Sequence, residues 1–475
     1  MHANQRKTLD RLFSPVSLAL IGFSTGVEGI DSTFFLKNLR NAGFAGRIYL
    51  IDPFVRELNG IRTYPNIAAL PEAVDLAIMR TLSAAGPAVL FECAQKGISN
   101  IQIIKSDFEK HQSSEIILWE KEIMRESRKR GLNLIGPDCL GPYTPASRLM
   151  FWGQIPAISG RFAFISQDDY LTERMTHHAY FSGFGISKAV SIGKGIVLDT
   201  TDFLEYLAED SKTGAIGIYM DCVREPKRIL EIARALYHKK PLFIWKGGDK
   251  ALNRRYLAPD ENVSWGEGIW ENGIRQSRSI RVHSLEEMAS AAMAFLNLPL
   301  PRGRRVFILG GGGGNSVHYA DLCIRFGLQI PQLTGDTLRK ISALIPAVGS
   351  FARNPVDAWK SFHETKIMEK ILDVAFSDDN LDMIILERLI PRPTFGSPTN
   401  IDTTQATIEY IQKNCLSKPV VVVVDGSGED PILAEKAATI RGQFCHANIP
   451  AYSSIRNAAS ALAHFAKYWN YFPDI

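Results

Sequence analysis

Short, mainly apolar runs alternate with longer mixed segments along the chain. The first third contains such runs at positions 18–21, 47–51, 74–79, 101–104 and 132–135. Runs of this kind are typical of strands that are buried on both faces of a parallel sheet. Helical patterns lie between them, for example over residues 33–41, so the order predicts a doubly wound α/β sheet. The ligand of such a sheet binds at the carboxyl ends of its strands.

The same alternation recurs twice further along the chain. Runs at 162–165, 216–220, 242–245 and 280–282 predict a second sheet, with helices over 202–209 and 226–238. Runs at 306–309, 383–386 and 420–424 predict a third sheet. At about 150 residues per domain, the 475 residues also suggest about three domains. We therefore expect an α/β protein with a Rossmann-like domain over 1–147 and two flavodoxin-like domains over 157–300 and 303–475.

The composition is that of an ordinary globular protein, with 45% hydrophobic and 22% charged residues. The net charge is +4 and the basic residues are dispersed, so we expect no nucleic-acid partner. No apolar run approaches the roughly 18 residues of a membrane span, and the N-terminus lacks a signal-peptide core, so we expect no membrane partner. The six cysteines form no CxxC pair, which is typical of free thiols in a reducing compartment and indicates the cytoplasm.

Glycine-rich loops follow two of the predicted strands. The strand at 306–309 is followed by Gly310 to Gly314, and the strand at 18–21 is followed by the sequence GFSTG. Glycine allows backbone N–H groups to approach a ligand closely, and it also allows a sharp turn without a Cβ clash. The loop at 22–26 lacks the GxGxxG dinucleotide motif. It therefore either holds a nucleotide-like ligand or is a tight turn without one.

Four segments occur in order in the first domain: LFSPVSLALIGFS, NLRNAGFAGRIYLIDP, GIRTYPNIAALPEAVDLAI and LIGPDCLG. In these segments the domain resembles the CoA-binding domain of the ADP-forming acyl-CoA synthetases (acetate–CoA ligases), relatives of the succinyl-CoA synthetase α subunit. The segments AVSIGKG, DFLEYLAEDSKTGAIGIYMD and KKPLFIWKGG resemble the second domain of that family, and NPVDAW and KPVVVVVDGSG resemble the third. The resemblance therefore covers essentially the whole chain, and the family's activity is that of an acid–thiol ligase.

The resemblance implies that the first domain binds CoA or acyl-CoA. The positions that match the family's contact residues are Gly22, Phe23, Ser24, Thr25, Asp52, Pro53, Arg56, Ser106, Pro137, Asp138 and Cys139. The first four would surround the CoA pyrophosphate at a helix start. Ser106 begins a turn that lines the pantetheine path in the family. Asp52 and Asp138 stand where the family has asparagine, and Arg56 either supplies the charge of a family lysine or is an ordinary exposed arginine.

The second domain departs from the family at the residues that carry its chemistry. The family phosphorylates a histidine in a Ser-His-Thr-Gly loop, but no histidine occurs here between Gly248 and His283. The corresponding position falls near Asp260 or Ser264. The phosphate-holding sequence Ser-Gln-Ser-Gly is replaced by SQDD at 166–169, and its two carboxylates would repel a phosphate. These departures indicate that the phosphohistidine step has been lost.

Asp221 keeps a carboxylate where the family has the glutamate that orients the histidine. A neutral imidazole that acts as a nucleophile needs a carboxylate on its other ring nitrogen. Without the histidine, Asp221 is a remnant of that arrangement. No residue is assigned a certain catalytic role.

The adjacent residues His177 and His178 allow two interpretations. They could form a metal site with Asp168 and Asp169, or they could be ordinary surface or partly buried histidines on a helix. Adjacent residues point to different faces of a helix, so we expect no metal. The pentaglycine at 310–314 is equally open. It either contacts CoA, an acyl group or a phosphate, or it is a tight turn that packs its helix closely.

We therefore expect a CoA- or acyl-CoA-binding α-type subunit that lacks phosphohistidine chemistry of its own and acts in an oligomeric complex. Its partner would be an ATP-grasp-type subunit or another acyl-CoA enzyme. ATP, ADP and Mg²⁺ would bind only through that partner, because no ATP-grasp region follows before Ile475. Two alternatives are an active acid–thiol ligase subunit with an altered phosphoryl relay, and a CoA-responsive scaffold or regulator.

Overall fold

The structure of the protein is a computed structural model. The structure describes residues 3–23, 32–58, 60–80, 86–104, 114–152, 158–237, 239–247, 267–345, 351–358, 365–388, 390, 403–415, 417–426 and 430–469. The chain divides into two compact units. The first unit comprises Met1–Tyr180 and Gly185–His283, and the second comprises Phe181–Phe184 and Ser284–Ile475. The three domain boundaries expected from the sequence stay predictions.

The first unit contains the Rossmann-like sheet expected near the N-terminus. Its strands are β1 (Ser17–Ile21), β2 (Arg47–Ile51), β3 (Glu57–Leu58), β4 (Ile61–Tyr64), β5 (Leu76–Met79), β6 (Asn100–Ile103) and β7 (Asn133–Ile135). The helices are α1 (Ala3–Phe13), α2 (Ser32–Ala42), α3 (Gly86–Lys96) and α4 (Ser114–Arg130). The strand order is β3-β4-β2-β1-β5-β6-β7, and every pair is parallel except the β3–β4 hairpin.

The connections of this sheet define where a ligand can bind. The chain leaves β1 for β2 and β4 on one side and returns to β5 on the other side. This reversal is a topological switch point, and open α/β sheets bind ligands in the crevice at the carboxyl ends of the strands there. Strands β1 and β5 are buried along their whole length, as the apolar runs predicted.

The second sheet also belongs to the first unit. Its strands are β8 (Gly141–Tyr143), β9 (Ser159–Ser166), β10 (Ile186–Ser191), β11 (Ala215–Met220), β12 (Leu242–Lys246) and β13 (Ile280–Arg281), in the order β13-β12-β11-β9-β10-β8. Only β8 is antiparallel to its neighbour. The helices are α5 (Asp169–Phe181), α6 (Thr200–Glu209), α7 (Pro226–Leu236) and α8 (Glu267–Gln276).

Helix α1 joins the two sheets of the first unit by packing on α6. The ring of Phe13 stacks on Tyr206 at 5.2 Å between centroids and meets Phe203 edge-on at 6.0 Å. The Tyr206 hydroxyl donates a hydrogen bond to Asp10 Oδ1 at 2.8 Å. Helix α1 thus contacts a helix of the second sheet within one compact unit.

The second unit contains a parallel sheet in the order β14 (Val306–Leu309), β15 (Met383–Glu387), β16 (Val420–Val423) and β17 (Ala451–Tyr452). Its helices are α9 (Leu285–Asn297), α10 (Gly314–Arg325), α11 (Gly335–Leu344), α12 (Thr365–Ser377), α13 (Thr404–Asn414), α14 (Pro431–His446) and α15 (Ile455–Trp469). Within the part of the chain that is described, no helix is both long enough and apolar enough to cross a bilayer. The α/β class and the parallel sheets expected from the sequence are confirmed.

Candidate functional site

Gly22 follows β1 at the switch point of the first sheet, and only glycine fits there. Its φ is +80°, and a Cβ atom would come within 2.5 Å of the Arg80 carbonyl oxygen at the end of β5. The next residue, Phe23, is 4% exposed, and its ring packs edge-on against Phe35 of α2 at 5.2 Å. A ligand at Phe23 would therefore meet backbone rather than the ring. The other two predicted pyrophosphate contacts, Ser24 and Thr25, lie outside the described residues.

Asp52 organises the turn that follows β2. Asp52 is only 6% exposed. Its Oδ1 atom accepts hydrogen bonds from the N–H groups of Phe54 at 2.7 Å and Val55 at 2.9 Å. Pro53 and Arg56 are exposed in the same turn. Asp52 thus shapes the loop, while Pro53 and Arg56 are accessible at its surface. The predicted contact Ser106 lies outside the described residues.

The turn after β7 contains the remaining predicted CoA contacts. The Gly136–Pro137 peptide bond is cis, and Asp138 has a φ of 61°. Cys139 is 2% exposed and its Sγ donates to the Ile103 carbonyl oxygen at 3.4 Å, so burial raises the pKa of this thiol. The cysteine therefore supports the turn from within the core.

The loop after β10 of the second sheet contacts the same turn. Lys194, which follows β10, places Nζ 3.6 Å from Asp138 Oδ2 and 2.5 Å from Glu120 Oε1 of α4. The backbone N–H of Lys194 donates to the Pro137 carbonyl oxygen at 3.0 Å. The described predicted contacts thus follow β1, β2 and β7, whose carboxyl ends lie along one edge of the sheet. Lys194 was not among the sequence-predicted site residues, because its pairing depends on the contact between the two sheets.

The N-terminus of α5, at the carboxyl end of β9, is occupied by carboxylates of the protein itself. Asp168 Oδ1 accepts the N–H of Leu171 at 2.6 Å, and Asp169 Oδ1 accepts the N–H of Tyr170 at 2.7 Å. These donors belong to the first turn of the helix, where backbone N–H groups have no partner within the helix. Burial, together with the charges of Asp169 and Asp221, raises the pKa of Asp168. The position that the family resemblance assigns to a phosphate thus already contains an anion.

Asp221 lies after β11, the strand beside β9. Its Oδ1 accepts a hydrogen bond from the Tyr219 hydroxyl at 2.5 Å, and burial and this carboxylate raise the pKa of Tyr219. Gln167 Oε1 accepts the N–H groups of Asp221 at 2.7 Å and Cys222 at 2.9 Å. Lys246 Nζ donates to the Asp221 carbonyl oxygen at 2.6 Å. The carboxylate that the resemblance assigned to an imidazole is therefore hydrogen-bonded to a tyrosine.

The structure describes only some of the other sequence-predicted positions near this edge. Asp260 and Ser264, at the expected place of the family histidine, lie outside the described residues. His177 Nε2 is 4.0 Å from Glu173 Oε1 of the same helix. Across the described ranges, no group of three or more histidine, cysteine, aspartate or glutamate side chains is arranged to hold a metal ion.

The pentaglycine after β14 is a turn whose shape requires glycine. The φ values of Gly310, Gly311, Gly312 and Gly313 are 136°, 100°, 100° and 56°. Such values are accessible to glycine but strained for other residues. Gly311 donates its N–H to Glu387 Oε2, and Gly312 donates its N–H to Ser316 Oγ at 3.1 Å.

Glu387 is the functional-site candidate in the second unit that sequence reasoning missed. It is 3% exposed at the end of β15, accepts the Tyr319 hydroxyl at Oε1, and has a pKa that burial raises. A Cβ at Gly310 would overlap its side chain. The signal was a glutamate directly after the apolar run MIIL, where burial forces a carboxylate to find hydrogen-bond donors. These contacts within the protein agree with the interpretation of the pentaglycine as a tight turn.

The chain is similar to known proteins over both sheets of the first unit. Residues 16–145 match the family model of a CoA binding domain, and residues 159–295 match that of a succinyl-CoA ligase like flavodoxin domain. The ADP-forming acetate–CoA ligase I of Archaeoglobus fulgidus is 30% identical over 451 residues, which are 92% of this chain and 64% of the relative. The chain thus spans less than two thirds of that relative.

Two further proteins match over nearly their whole length. The α subunit of the ADP-forming acetate–CoA ligase I of Pyrococcus furiosus is 28% identical over 470 residues, which are 97% of this chain and 98% of the relative. A solved structure of the dinucleotide-forming acetyl-coenzyme A synthetase 1 of Candidatus Korarchaeum cryptofilum, in complex with phosphate and ADP, superposes with a TM-score of 0.83. Its sequence identity is 26%, and the match covers 97% of each chain.

Proposed function

Because the chain belongs to the ADP-forming acyl-CoA synthetase family as an α-subunit-like member, we propose that it binds CoA or acyl-CoA without forming a phosphohistidine itself. It would act as the CoA-binding member of an oligomeric complex. The proposal separates two properties that the family combines in one chain, which are CoA binding in the first domain and phosphoryl transfer in the second.

The observation that carries the proposal is the pair of carboxylates at the start of α5. A helix N-terminus favours an anion by about 0.3–1 kcal/mol through its free N–H groups and dipole. Here Asp168 and Asp169 already accept the N–H groups of Leu171 and Tyr170. A further unit negative charge 4 Å from a carboxylate is repelled by about 4 kcal/mol at an effective dielectric constant of about 20. The repulsion exceeds the gain, so this helix start disfavours a phosphoryl group.

The CoA site proposed at the first sheet follows the geometry of its carboxyl edge. Gly22 and Phe23, with Ser24 and Thr25, would present backbone N–H groups to the pyrophosphate. Asp52, Pro53 and Arg56 would lie on the adenosine side, since β2 neighbours β1 away from the switch point. Ser106 and Asp138 would lie on the pantetheine side beyond β5, where Pro137 and Cys139 are buried in the supporting turn. Gly22 supports this assignment, because its turn leaves no room for a side chain.

The proposed partner is an ATP-grasp-type subunit or another acyl-CoA enzyme, through which ATP, ADP and Mg²⁺ would bind. The Pyrococcus furiosus relative is named as the α subunit of its ligase, and the Korarchaeum relative was solved with phosphate and ADP. All six cysteines are free thiols, which supports a reducing compartment, and we propose the cytoplasm.

An active acid–thiol ligase subunit is the second candidate, and Asp221 favours it. The carboxylate is retained at the place where the family orients its histidine, and it accepts a hydrogen bond only 2.5 Å long from Tyr219. That reading requires a phosphoryl carrier within residues 248–266, which are outside the described part of the chain.

Calorimetric titration of the full-length protein with CoA tests the first half of the proposal. We expect saturable binding with one CoA per chain, unaffected by added ATP. A protein that does not bind CoA would contradict the assignment of the first sheet.

A further inference from the structure

The loop after β2 has a backbone fixed from both sides. Asp52 Oδ1 accepts the N–H groups of Phe54 at 2.7 Å and Val55 at 2.9 Å. The Asp52 N–H donates to the Tyr64 carbonyl oxygen at 2.9 Å, and the Thr63 N–H donates to the Arg56 carbonyl oxygen at 3.0 Å. Two hydrogen bonds within the turn and two to β4 therefore hold its backbone, so the side chains at its tip start from fixed positions.

One of those side chains is a phenylalanine that the fold leaves in solvent. Phe54 is 88% exposed, the largest exposure among the exposed large hydrophobic residues of the described chain. Single exposed apolar residues are common and need no explanation by themselves. Phe54 differs because it projects from a fixed turn at the carboxyl end of β2, beside β1 and its glycine turn at Gly22.

We propose that Phe54 is the surface on which the adenine of CoA stacks; this proposal rests on the CoA-binding function proposed above. Of the parts of CoA, only the adenine has a flat π face, and bases stack on exposed aromatic rings. With the pyrophosphate at the Gly22 turn, the adenosine lies over the end of the neighbouring β2. Phe54 is the aromatic side chain that the described structure presents there to solvent.

The charge of the same loop fits this occupant. Arg56 is exposed two residues after Phe54. The ribose of CoA carries a 3′-phosphate close to the adenine, so a cation beside the stacking ring complements it. An apolar protein segment would gain nothing from that cation, which favours the nucleotide as occupant of the loop.

The test compares CoA with 4′-phosphopantetheine, which retains the pantetheine and one phosphate but has no adenine. We expect Phe54→Ala to weaken CoA binding about tenfold by calorimetry, as base–aromatic stacking energies imply. The affinity for 4′-phosphopantetheine should not change. Phe54→Tyr, which keeps an aromatic ring at this position, should retain the CoA affinity of the unaltered protein. Val16→Ala is the matched control, because Val16 is a 61% exposed apolar residue just before β1, at the opposite edge of the sheet.

Three results would overturn the inference, and they are distinguishable. Unchanged CoA affinity in Phe54→Ala would remove Phe54 from the site while leaving CoA binding intact. Equal weakening of CoA and 4′-phosphopantetheine would mean that Phe54 acts through the shape of the loop rather than by stacking. Absence of CoA binding in the unaltered protein would overturn the proposed function together with this inference.

Discussion

Individual side chains determine what the two carboxyl edges of the first unit can bind. At the end of β9, Asp168 supplies an acceptor to the N–H of Leu171, and so fills an anion position with a group that cannot leave. At the end of β1, Gly22 allows a tight turn against β5, because any Cβ would meet the Arg80 carbonyl oxygen. Under our proposal, the first residue excludes a phosphoryl group and the second belongs to the turn that binds CoA. Each role can be tested by substitution.

Replacing the two carboxylates should reopen the anion position at α5. In the double variant Asp168→Ser with Asp169→Gly, the N–H groups of Leu171 and Tyr170 lose their charged acceptors, so inorganic phosphate should bind with measurable affinity in a calorimetric titration. Serine remains a good helix cap, so stability should change by less than about 1 kcal/mol. Asp168→Asn, which keeps an acceptor oxygen, is the control and should gain less. Equal phosphate binding by the unaltered protein would contradict the account.

Gly22→Val should weaken CoA binding by at least about tenfold, because valine is strained at a positive φ and its Cβ would meet the Arg80 carbonyl oxygen. Calorimetry with CoA measures the effect. Gly43→Val is the matched control, since Gly43 has a φ of +77° but no atom within 4 Å of a Cβ position, and it precedes β2 at the opposite edge. If both variants bind CoA like the unaltered protein, the site assigned to Gly22 is wrong.

Among the elements, the strands with uninterrupted apolar runs could be predicted from the sequence, and β10 could not. Its sequence ISKAVS contains Ser187 and Lys188, which no pattern of apolar residues assigns to a buried strand. The structure buries both by pairing. Lys188 Nζ lies 2.7 Å from Asp210 Oδ2, and Ser187 Oγ lies 2.9 Å from Thr213 Oγ1. Those partners are more than twenty residues away, so only the fold shows why polar side chains are tolerated there.

The positions of the predicted site residues relative to the strands could be predicted to a similar extent, while their roles stay predictions. Motif order placed Gly22, Asp52 and Pro137 after strands that the structure aligns at one edge. The sequence did not indicate that the Asp52 carboxylate would accept a hydrogen bond within its own turn. It also did not indicate that Cys139 would be buried in the turn after β7. Hydrogen bonds that run between a loop and a distant strand depend on tertiary structure. The order of motifs does not determine them.

The pentaglycine turn is an element that packs closely against two side chains, those of Glu387 and Ser316. At Gly311 the φ is +100°, and a Cβ would lie 2.6 Å from Ser316 Oγ. Gly311→Ala should therefore lower the free energy of unfolding by about 1–3 kcal/mol, measured by urea denaturation. Gly314→Ala is the control. Gly314 opens α10 with no atom within 4 Å of a Cβ position, so alanine should be neutral or slightly stabilising there. Equal effects of the two substitutions would show that the turn is not strained.

At the scale of the whole molecule, the first unit combines a switch point suited to a nucleotide with a second sheet whose anion position is filled. The two sheets are joined through α1 and α6 and through Lys194, which contacts the turn containing Pro137 and Asp138. Under our proposal, CoA binding persists although phosphoryl transfer is lost, because the groups involved lie on different sheets. This separation is the central claim, and it distinguishes a CoA-binding subunit from an active ligase.

Intact-protein mass spectrometry tests that claim most directly. The full-length chain, alone and with any copurified partner, is incubated with ATP and Mg²⁺, while an active ADP-forming acetate–CoA ligase is treated in parallel as the positive control. We predict that the control gains a phosphoryl group and that this chain keeps its original mass while still binding CoA. A phosphoryl adduct on this chain would contradict the account, and its loss in Asp260→Asn or Ser264→Ala would identify the carrier of an active ligase.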